Sequence, residues 1–199
     1  LKKLNFKLTK DQNNAIDLIN VDLKSKQRMF RLLQGDVGSG KTIVAIIAAL
    51  NVVSAGYQVG FMVPTEILAK QHYEFVRLNF NKFCNVKLLT GKTEYREKKI
   101  TNNELKSNKV NLIIGTHSLF QKKVEYKNLG LIIIDEQHKF GVRQRKELSD
   151  KGGKNCDVLV MSATPIPRTM VMTIYGDMDV TLIKEKPYQI KVESIVIFH

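Results

Sequence analysis

Apolar residues in this chain fall into two kinds of stretch that take turns along it. Short continuous runs occupy residues 29–33, 58–63, 86–89, 111–114, 130–134, 157–161 and 180–183, and segments of helical spacing lie between many of them, at 42–55, 66–80 and 94–106. A run that is apolar throughout, rather than at every second position, describes a strand covered on both faces. Such strands joined by helical crossovers predict an α/β domain, with a mostly parallel central sheet and helices on both faces. A further helix is expected near residues 10–24, where Thr9 and Gln12 have the spacing of a capping box and Ala15, Ile16, Leu18, Ile19 and Leu23 supply an apolar face. Asp150 to Asn155, with Gly152 and Gly153, reads as a surface loop. After Pro187 an isolated extended run, Ile190 to Phe198, reads as an edge strand or the start of a linker, so residues 1–185 are expected to form the domain and 186–199 its exit.

Ligands of open parallel sheets bind at the carboxyl ends of the strands, and three of the loops there carry chemistry. The first, after the run ending at Gln34, is Gly35-Asp36-Val37-Gly38-Ser39-Gly40-Lys41-Thr42, a complete phosphate loop between a strand and a helix. Gly35, Gly38 and Gly40 let the backbone curl so that N–H groups around Gly38, Ser39, Gly40 and Lys41 face a triphosphate at the helix N-terminus. Lys41 adds a mobile positive charge for the β- and γ-phosphates, and the Thr42 hydroxyl is placed to ligate Mg²⁺.

The second loop follows Leu131-Ile132-Ile133-Ile134 and reads Asp135-Glu136-Gln137-His138. Asp135 is expected to hold Mg²⁺ through water, and Glu136 to orient and activate the attacking water, which is positioning and electrostatic catalysis rather than covalent chemistry. Acids after a strand also serve as plain loop starts or helix caps. The third loop, from Met161, reads Ser162-Ala163-Thr164-Pro165-Ile166-Pro167. Its hydroxyls can hydrogen-bond the acidic loop, or simply close the strand before the prolines stop it.

Composition adds two constraints. The formal charge is +13 over 199 residues, which favours a polyanionic partner, although 25 of the 32 basic residues are lysine and a lysine-rich composition alone gives the same sign. Basic residues crowd at Lys24 to Arg31, Lys82 to Lys109 and Lys139 to Lys154, stretches that equally describe solvated faces. Cys84 and Cys156 are neither a C-x-x-C pair nor near histidines at metal-ligand spacing, so both are expected to be reduced and buried. With no apolar run long enough for a bilayer, no basic-then-apolar leader and Leu1 at its start, the chain reads as a soluble, cytoplasmic piece of a larger protein without a membrane role.

Phosphate loop, Asp-Glu-Gln-His and Ser-Ala-Thr, in that order on alternating strands, resemble motifs I, II and III of a superfamily-2 helicase. Pro64-Thr65-Glu66-Ile67-Leu68-Ala69, Leu88-Leu89-Thr90-Gly91, Gly115-Thr116-His117, Phe140-Gly141-Val142-Arg143-Gln144-Arg145 and Tyr175-Gly176-Asp177 sharpen this to the RecG family of bacterial ATP-dependent branched-DNA helicases. The resemblance runs from Phe6 to about Ile183. It implies a RecA-like P-loop NTPase domain, the first motor lobe of a helicase that uses ATP and Mg²⁺ on forks and Holliday junctions in recombination, repair and the rescue of stalled forks. By the same resemblance Gln12 and Phe6 read adenine, while Gln137 and His138 contact the nucleotide and couple hydrolysis to domain movement, as do Ser162 and Thr164. Pro64, Thr65, Glu66, Thr90, Gly91, Gly115, Thr116 and His117 are implied to grip DNA phosphates with hydroxyls and backbone N–H groups. Two of these have second readings, since Gln12 also fits the capping box and Thr65 fits a helix cap.

Two small departures stand out. Lys139 stands where the family usually has Arg, and Val63 where Ala is common. The transcription-repair coupling factor is the nearest alternative, but it typically has Asp-Glu-Glu-His, so Gln137 favours RecG. A guanine-reading switch would need Asn-Lys-x-Asp, and neither Asn81-Lys82 nor Asn108-Lys109 continues that way; a small-molecule kinase leaves Ser162 to Thr169 without a role. The resemblance further implies a second motor lobe with arginine fingers, an amino-terminal wedge domain, a monomeric protein and little ATP hydrolysis by this chain alone.

Overall fold

A computed structural model of the chain describes residues 7–121, 123–135, 156–164 and 178–187. The elements are α1 (Lys10–Leu23), β1 (Phe30–Gly35), α2 (Lys41–Ser54), β2 (Gln58–Met62), α3 (Glu66–Phe80), β3 (Val86–Leu89), α4 (Tyr95–Lys106), β4 (Leu112–Gly115), a 3₁₀ turn (His117–Phe120), β5 (Leu129–Asp135), β6 (Asp157–Ser162) and β7 (Asp179–Ile183). All seven apolar runs are strands of one sheet, in the spatial order β3-β4-β2-β5-β6-β1-β7. Every pairing is parallel, so every strand ends on the same rim.

Successive side chains of a strand point to opposite faces, and the two faces enclose two cores. Leu33, Phe61, Ile114, Ile133 and Met161 pack under α1, α2 and α3 with Ile19, Val44 and Val76. Leu32, Met62, Ile113, Ile132 and Val160 pack on the other face with Leu105 of α4 and Leu119. Helix α2 is buried nearly all round, at Ile43 to Ala49 and again at Val52 and Val53, because it lies on the sheet and carries α1 on its outer side. The capping box appears at α1: Gln12 N–H donates to Thr9 Oγ1 at 3.2 Å, and Thr9 N–H donates to Gln12 Oε1 at 2.9 Å.

One basic residue of the Lys24 to Arg31 stretch faces inward. Arg31 is 7% exposed; its Nε lies 2.6 Å from Asp22 Oδ2 and its guanidinium donates to Thr181 Oγ1 at 2.7 Å. It fastens α1 to β1 and β7, so it adds nothing to a DNA-binding face.

Beyond β7 the chain is clamped to the start of α1. Asp11 Oδ2 accepts the N–H groups of Lys184 and Glu185 at 2.8 and 3.0 Å, while Glu185 Oε2 accepts those of Lys10 and Asp11 at 3.0 and 3.4 Å. The N–H of Glu185, then that of Lys184, holds the Asp11 carboxyl below the usual carboxylate range.

Both cysteines are buried and free, and burial pushes the Cys84 thiol up to about 11 and that of Cys156 to about 12. Among the described residues no helix is long and apolar enough to cross a membrane. The expected surface loop at 150–155 and the extended run at 190–198 lie outside the described residues.

Removing Arg31 leaves Asp22 without its partner at a site little exposed to water. Arg31→Ala is expected to lower stability by about 3 kcal/mol, read from the urea midpoint at constant slope.

Candidate functional site

Parallel strand order sorts the loops of the rim into two groups. The central and far strands β5, β6 and β1 present Asp135, the Ser162 to Thr164 loop and the phosphate loop, whereas β3, β4 and β2 present Thr90-Gly91, Gly115-Thr116 and Pro64-Thr65.

At the end of β1 the phosphate loop turns sharply, with Ser39 N–H donating to the Asp36 carbonyl at 3.1 Å. Gly38 and Gly40 adopt φ of +82° and +84°, the left-handed region that favours glycine. Gly35 is required for a different reason: a Cβ there would come within 2.7 Å of both the Ile183 carbonyl oxygen and Ser39 Oγ. Gly40 is the N-cap of α2 and offers no side-chain hydrogen bond, an arrangement in which the start of a helix suits an anion. Lys41 Nζ lies along the loop, donating to the carbonyls of Gly35 and Asp36 at 2.6 and 2.9 Å. Thr42 is half-buried in the same turn. Ser39 Oγ is buried and has no hydrogen-bond partner among the described residues.

Gln12 reaches this loop from α1. Its amide Nε2 donates to the Ser39 carbonyl at 2.8 Å while Oε1 stays in the capping box, and the residue is 1% exposed. A Cβ on Gly40 would collide with that same amide nitrogen. The capping reading of Gln12 is therefore realised, together with a direct hold on the phosphate loop that the sequence does not announce.

Asp135 ends β5, which is separated from β1 by β6, a lateral distance of about 10 Å at ordinary strand spacing. Between them Ser162 Oγ donates to the Thr164 carbonyl and pairs with Thr164 Oγ1, each at 3.1 Å. Gln34, at the end of β1, donates to the same Thr164 carbonyl at 3.3 Å, tying the phosphate-loop strand to the third motif. Asp135 Oδ2 lies 3.6 Å from Nε2 of His72 on α3. Phe6, Glu136, Gln137 and His138 lie outside the described residues.

These features fit a nucleotide and Mg²⁺. An orphaned buried hydroxyl beside uncapped N–H groups suits phosphate oxygens, and one carboxylate with one threonine hydroxyl suits Mg²⁺, which keeps several waters and takes the rest of its shell from phosphate.

The other three loops are laced to one another. Thr65 caps α3, accepting from Leu68 N–H at 3.3 Å, so its helix-cap reading holds. Glu66 Oε1 accepts from Lys92 N–H at 3.2 Å and its other oxygen lies 3.4 Å from Lys92 Nζ, which joins the start of α3 to the Thr90-Gly91 loop. That loop closes on itself through Thr90 N–H to Thr93 Oγ1 at 2.9 Å, and Lys98 donates to the Gly91 carbonyl at 2.8 Å. Ser118, in the 3₁₀ turn after Thr116, donates to the Leu89 carbonyl at 2.9 Å. Gly115 is where β4 meets β3, and any Cβ there would run into the Leu89 carbonyl. Pro64 and Thr116 are half-exposed, and Thr65, Gly91 and His117 exposed, whereas Thr90 is only 6% exposed. Gly115 is buried as well, so the expected DNA-contact loops are joined to one another while Thr90 and Gly115 serve mainly to shape them.

Comparison with known proteins concerns the family and the fold. The family model described as DEAD/DEAH box helicase matches residues 9–173. The chain is 55% identical over 189 residues to the ATP-dependent DNA helicase RecG of Aquifex aeolicus, covering 94% of this chain and 24% of that protein. It is 54% identical over 188 residues to RecG of Thermotoga maritima, covering 94% and 24%. The chain therefore spans about a quarter of the length of these curated relatives. A solved structure of RecG bound to a three-way DNA junction superposes with a TM-score of 0.82 at 49% identity, over 94% of this chain and 25% of that one. The helicase Lhr of Mycobacterium smegmatis, bound to single-stranded DNA and AMP-PNP, matches at a TM-score of 0.70 and 18% identity, covering 90% and 26%, a likeness of fold alone.

Gly40→Ala places a methyl against the Gln12 amide in a left-handed backbone, whereas Gly56→Ala, at φ +87° with nothing within 4 Å, meets only the backbone penalty. Gly56→Ala should cost about 1 kcal/mol in urea melts, and Gly40→Ala more than that, because it also displaces the buried Gln12 amide. Only Gly40→Ala should weaken binding of a fluorescent adenine nucleotide, by at least about tenfold, the equivalent of 1.4 kcal/mol.

Proposed function

The chain belongs to the DEAD/DEAH box helicase family, and from that premise we propose that it is the ATP-binding first motor domain of a RecG-type DNA helicase acting on branched DNA. The observation that supports the reading is the sorting of one sheet rim, with the phosphate loop, Asp135 and the Ser162 to Thr164 loop on β5, β6 and β1, and the Pro64-Thr65, Thr90-Gly91 and Gly115-Thr116 loops on β3, β4 and β2. A chain 55% identical to one RecG and superposing on another that is bound to a three-way junction supports branched DNA as the substrate. Those identities favour RecG over the transcription-repair coupling factor.

Within this reading each residue has a separate task. Backbone N–H groups from Gly38 to Thr42 bind the triphosphate, and Lys41 exchanges its loop carbonyls for the β- and γ-phosphates. Thr42 and Asp135 hold Mg²⁺, and Glu136 orients the attacking water. Bound Mg²⁺ supplies neutralisation of the charge that develops on the transferring phosphoryl group. Gln12 and Phe6 meet the adenine: one N–H and one lone pair of the Gln12 amide are not used by the bonds to Thr9 and Ser39. Gln137, His138, Ser162 and Thr164 relay the state of the nucleotide. Pro64, Thr65, Glu66, Gly91, Gly115, Thr116 and His117 bind DNA phosphates through hydroxyl and backbone groups, with Thr90 shaping their loop. The resting place is the bacterial cytoplasm, and the second motor lobe and wedge domain are the partners.

Arginine fingers from a second lobe typically contribute 10³ to 10⁵ in rate. The 199-residue chain alone is therefore expected to bind MgATP yet turn it over at least about a thousandfold more slowly than the complete protein on forked DNA. Lys41→Ala should abolish binding as well. Robust fork-stimulated turnover by the isolated chain, or preference for GTP, would sink this reading.

A further inference from the structure

We propose that His72 is a positioning residue that carries DNA engagement at the start of α3 to the metal-holding carboxylate of Asp135; the inference rests on the nucleotide and DNA halves assigned above. Helix α3 begins in the DNA half. Thr65 caps it and Glu66 in its first turn holds the Thr90-Gly91 loop through Lys92. Two turns further along, on the same side of the helix as Thr65 by helical repeat, His72 leaves that half and meets the nucleotide half at Asp135.

The side chain is held where a small displacement matters. Its ring stacks on Phe61 of β2, with centroids 5.3 Å apart and planes 19° from parallel, so the imidazole cannot swing independently of α3 and β2. The His72 and Asp135 side chains are 15% and 14% exposed, with Nε2 and Oδ2 3.6 Å apart. Nε2 is buried and makes no hydrogen bond among the described residues. That separation lies just beyond hydrogen-bonding length, and a buried nitrogen left without a partner is costly. A slide of α3 by less than an ångström would convert the contact into an N–H to carboxylate bond, provided the ring proton is on Nε2. Such outer bonds fix the orientation of a metal-ligating carboxylate. A leucine or phenylalanine would fill the same space against Phe61 without carrying a polar atom to this carboxylate. The choice of histidine is therefore accounted for by the contact with Asp135.

The geometry gives α3 two ends with different duties. A phosphate bound by the loop of Pro64 and Thr65 moves the helix cap, and His72 translates that movement into the position of Asp135. DNA would then tune how firmly the carboxylate holds Mg²⁺, which is a coupling between two sites with an identified connecting element.

The test uses the full-length protein and forked DNA, with His72→Phe, His72→Gln and His72→Asn. Glutamine places an amide N–H near the position of Nε2, whereas asparagine is too short, so this pair carries the comparison even should the phenylalanine variant lose its fold. The first readout is the Mg²⁺ midpoint for binding a fluorescent non-hydrolysable ATP analogue, with and without fork; the second is fork-stimulated kcat, alongside KM for ATP and affinity for the fork. The wild type is expected to bind Mg²⁺ more tightly when the fork is present. In His72→Phe and His72→Asn this shift should vanish and fork-stimulated kcat fall about tenfold, with fork affinity and KM unchanged, while His72→Gln recovers most of both. A preserved Mg²⁺ shift in His72→Asn, or equal losses in the glutamine and asparagine variants, would overturn the proposal. A wild type whose ATP turnover ignores the fork would instead overturn the motor assignment itself.

Discussion

Seven strands that all run the same way, the central ones buried on both faces, leave the chain no short route from one to the next. Among the described residues α2, α3 and α4 carry the chain back over the sheet and bury faces the strands cannot expose. One consequence is geometric: each strand delivers its last residue to the same rim. The loops to which the proposed function assigns nucleotide and DNA are far apart in sequence, at residues 35–42, 64–66, 90–91, 115–118, 135 and 162–164. Parallel pairing alone brings them to one edge, and the crossover pattern decides which are neighbours.

Close approach of backbones then removes freedom at chosen points. Gly115 lets β4 lie against the Leu89 carbonyl, and Gly35 lets the phosphate loop fold beneath the exit of β7. Gly40 serves a third purpose, because the missing Cβ is the space in which Gln12 reaches Ser39. These glycines are fixed by three separate neighbours, Leu89, Ile183 and Gln12, none of which belongs to the phosphate loop itself.

Much of this was legible in the sequence, for identifiable reasons. Continuous apolar runs report two-sided burial, and the runs at 58–63 and 86–89 became β2 and β3 almost residue for residue, as did the helical segment at 66–80. The phosphate loop and the acidic strand end are local motifs whose meaning travels with their spacing. Contacts between distant segments leave no such periodic trace. Gln34 bonding Thr164, Glu66 bonding Lys92 and His72 meeting Asp135 join elements whose adjacency depends on strand order. The 3₁₀ turn at His117–Phe120 is too short to show a period, and Arg31, one of a run of basic residues, was indistinguishable from its solvated neighbours until its partners Asp22 and Thr181 were in place.

The reciprocal clamp between Asp11 and Glu185 joins the segment that leaves β7 to the first turn of the helix carrying Gln12. Gln12 in turn grips Ser39, and Lys186 lies 3.6 Å from Asp36 of the same loop. The segment after β7 is therefore tied to the edge that carries the phosphate loop as well as, through β7 itself, to β1 of the sheet. The exit of the last strand and the fold of the phosphate loop thus share their supports, so that a substitution at Asp11 or Glu185 is expected to loosen Gln12 and, through it, Ser39.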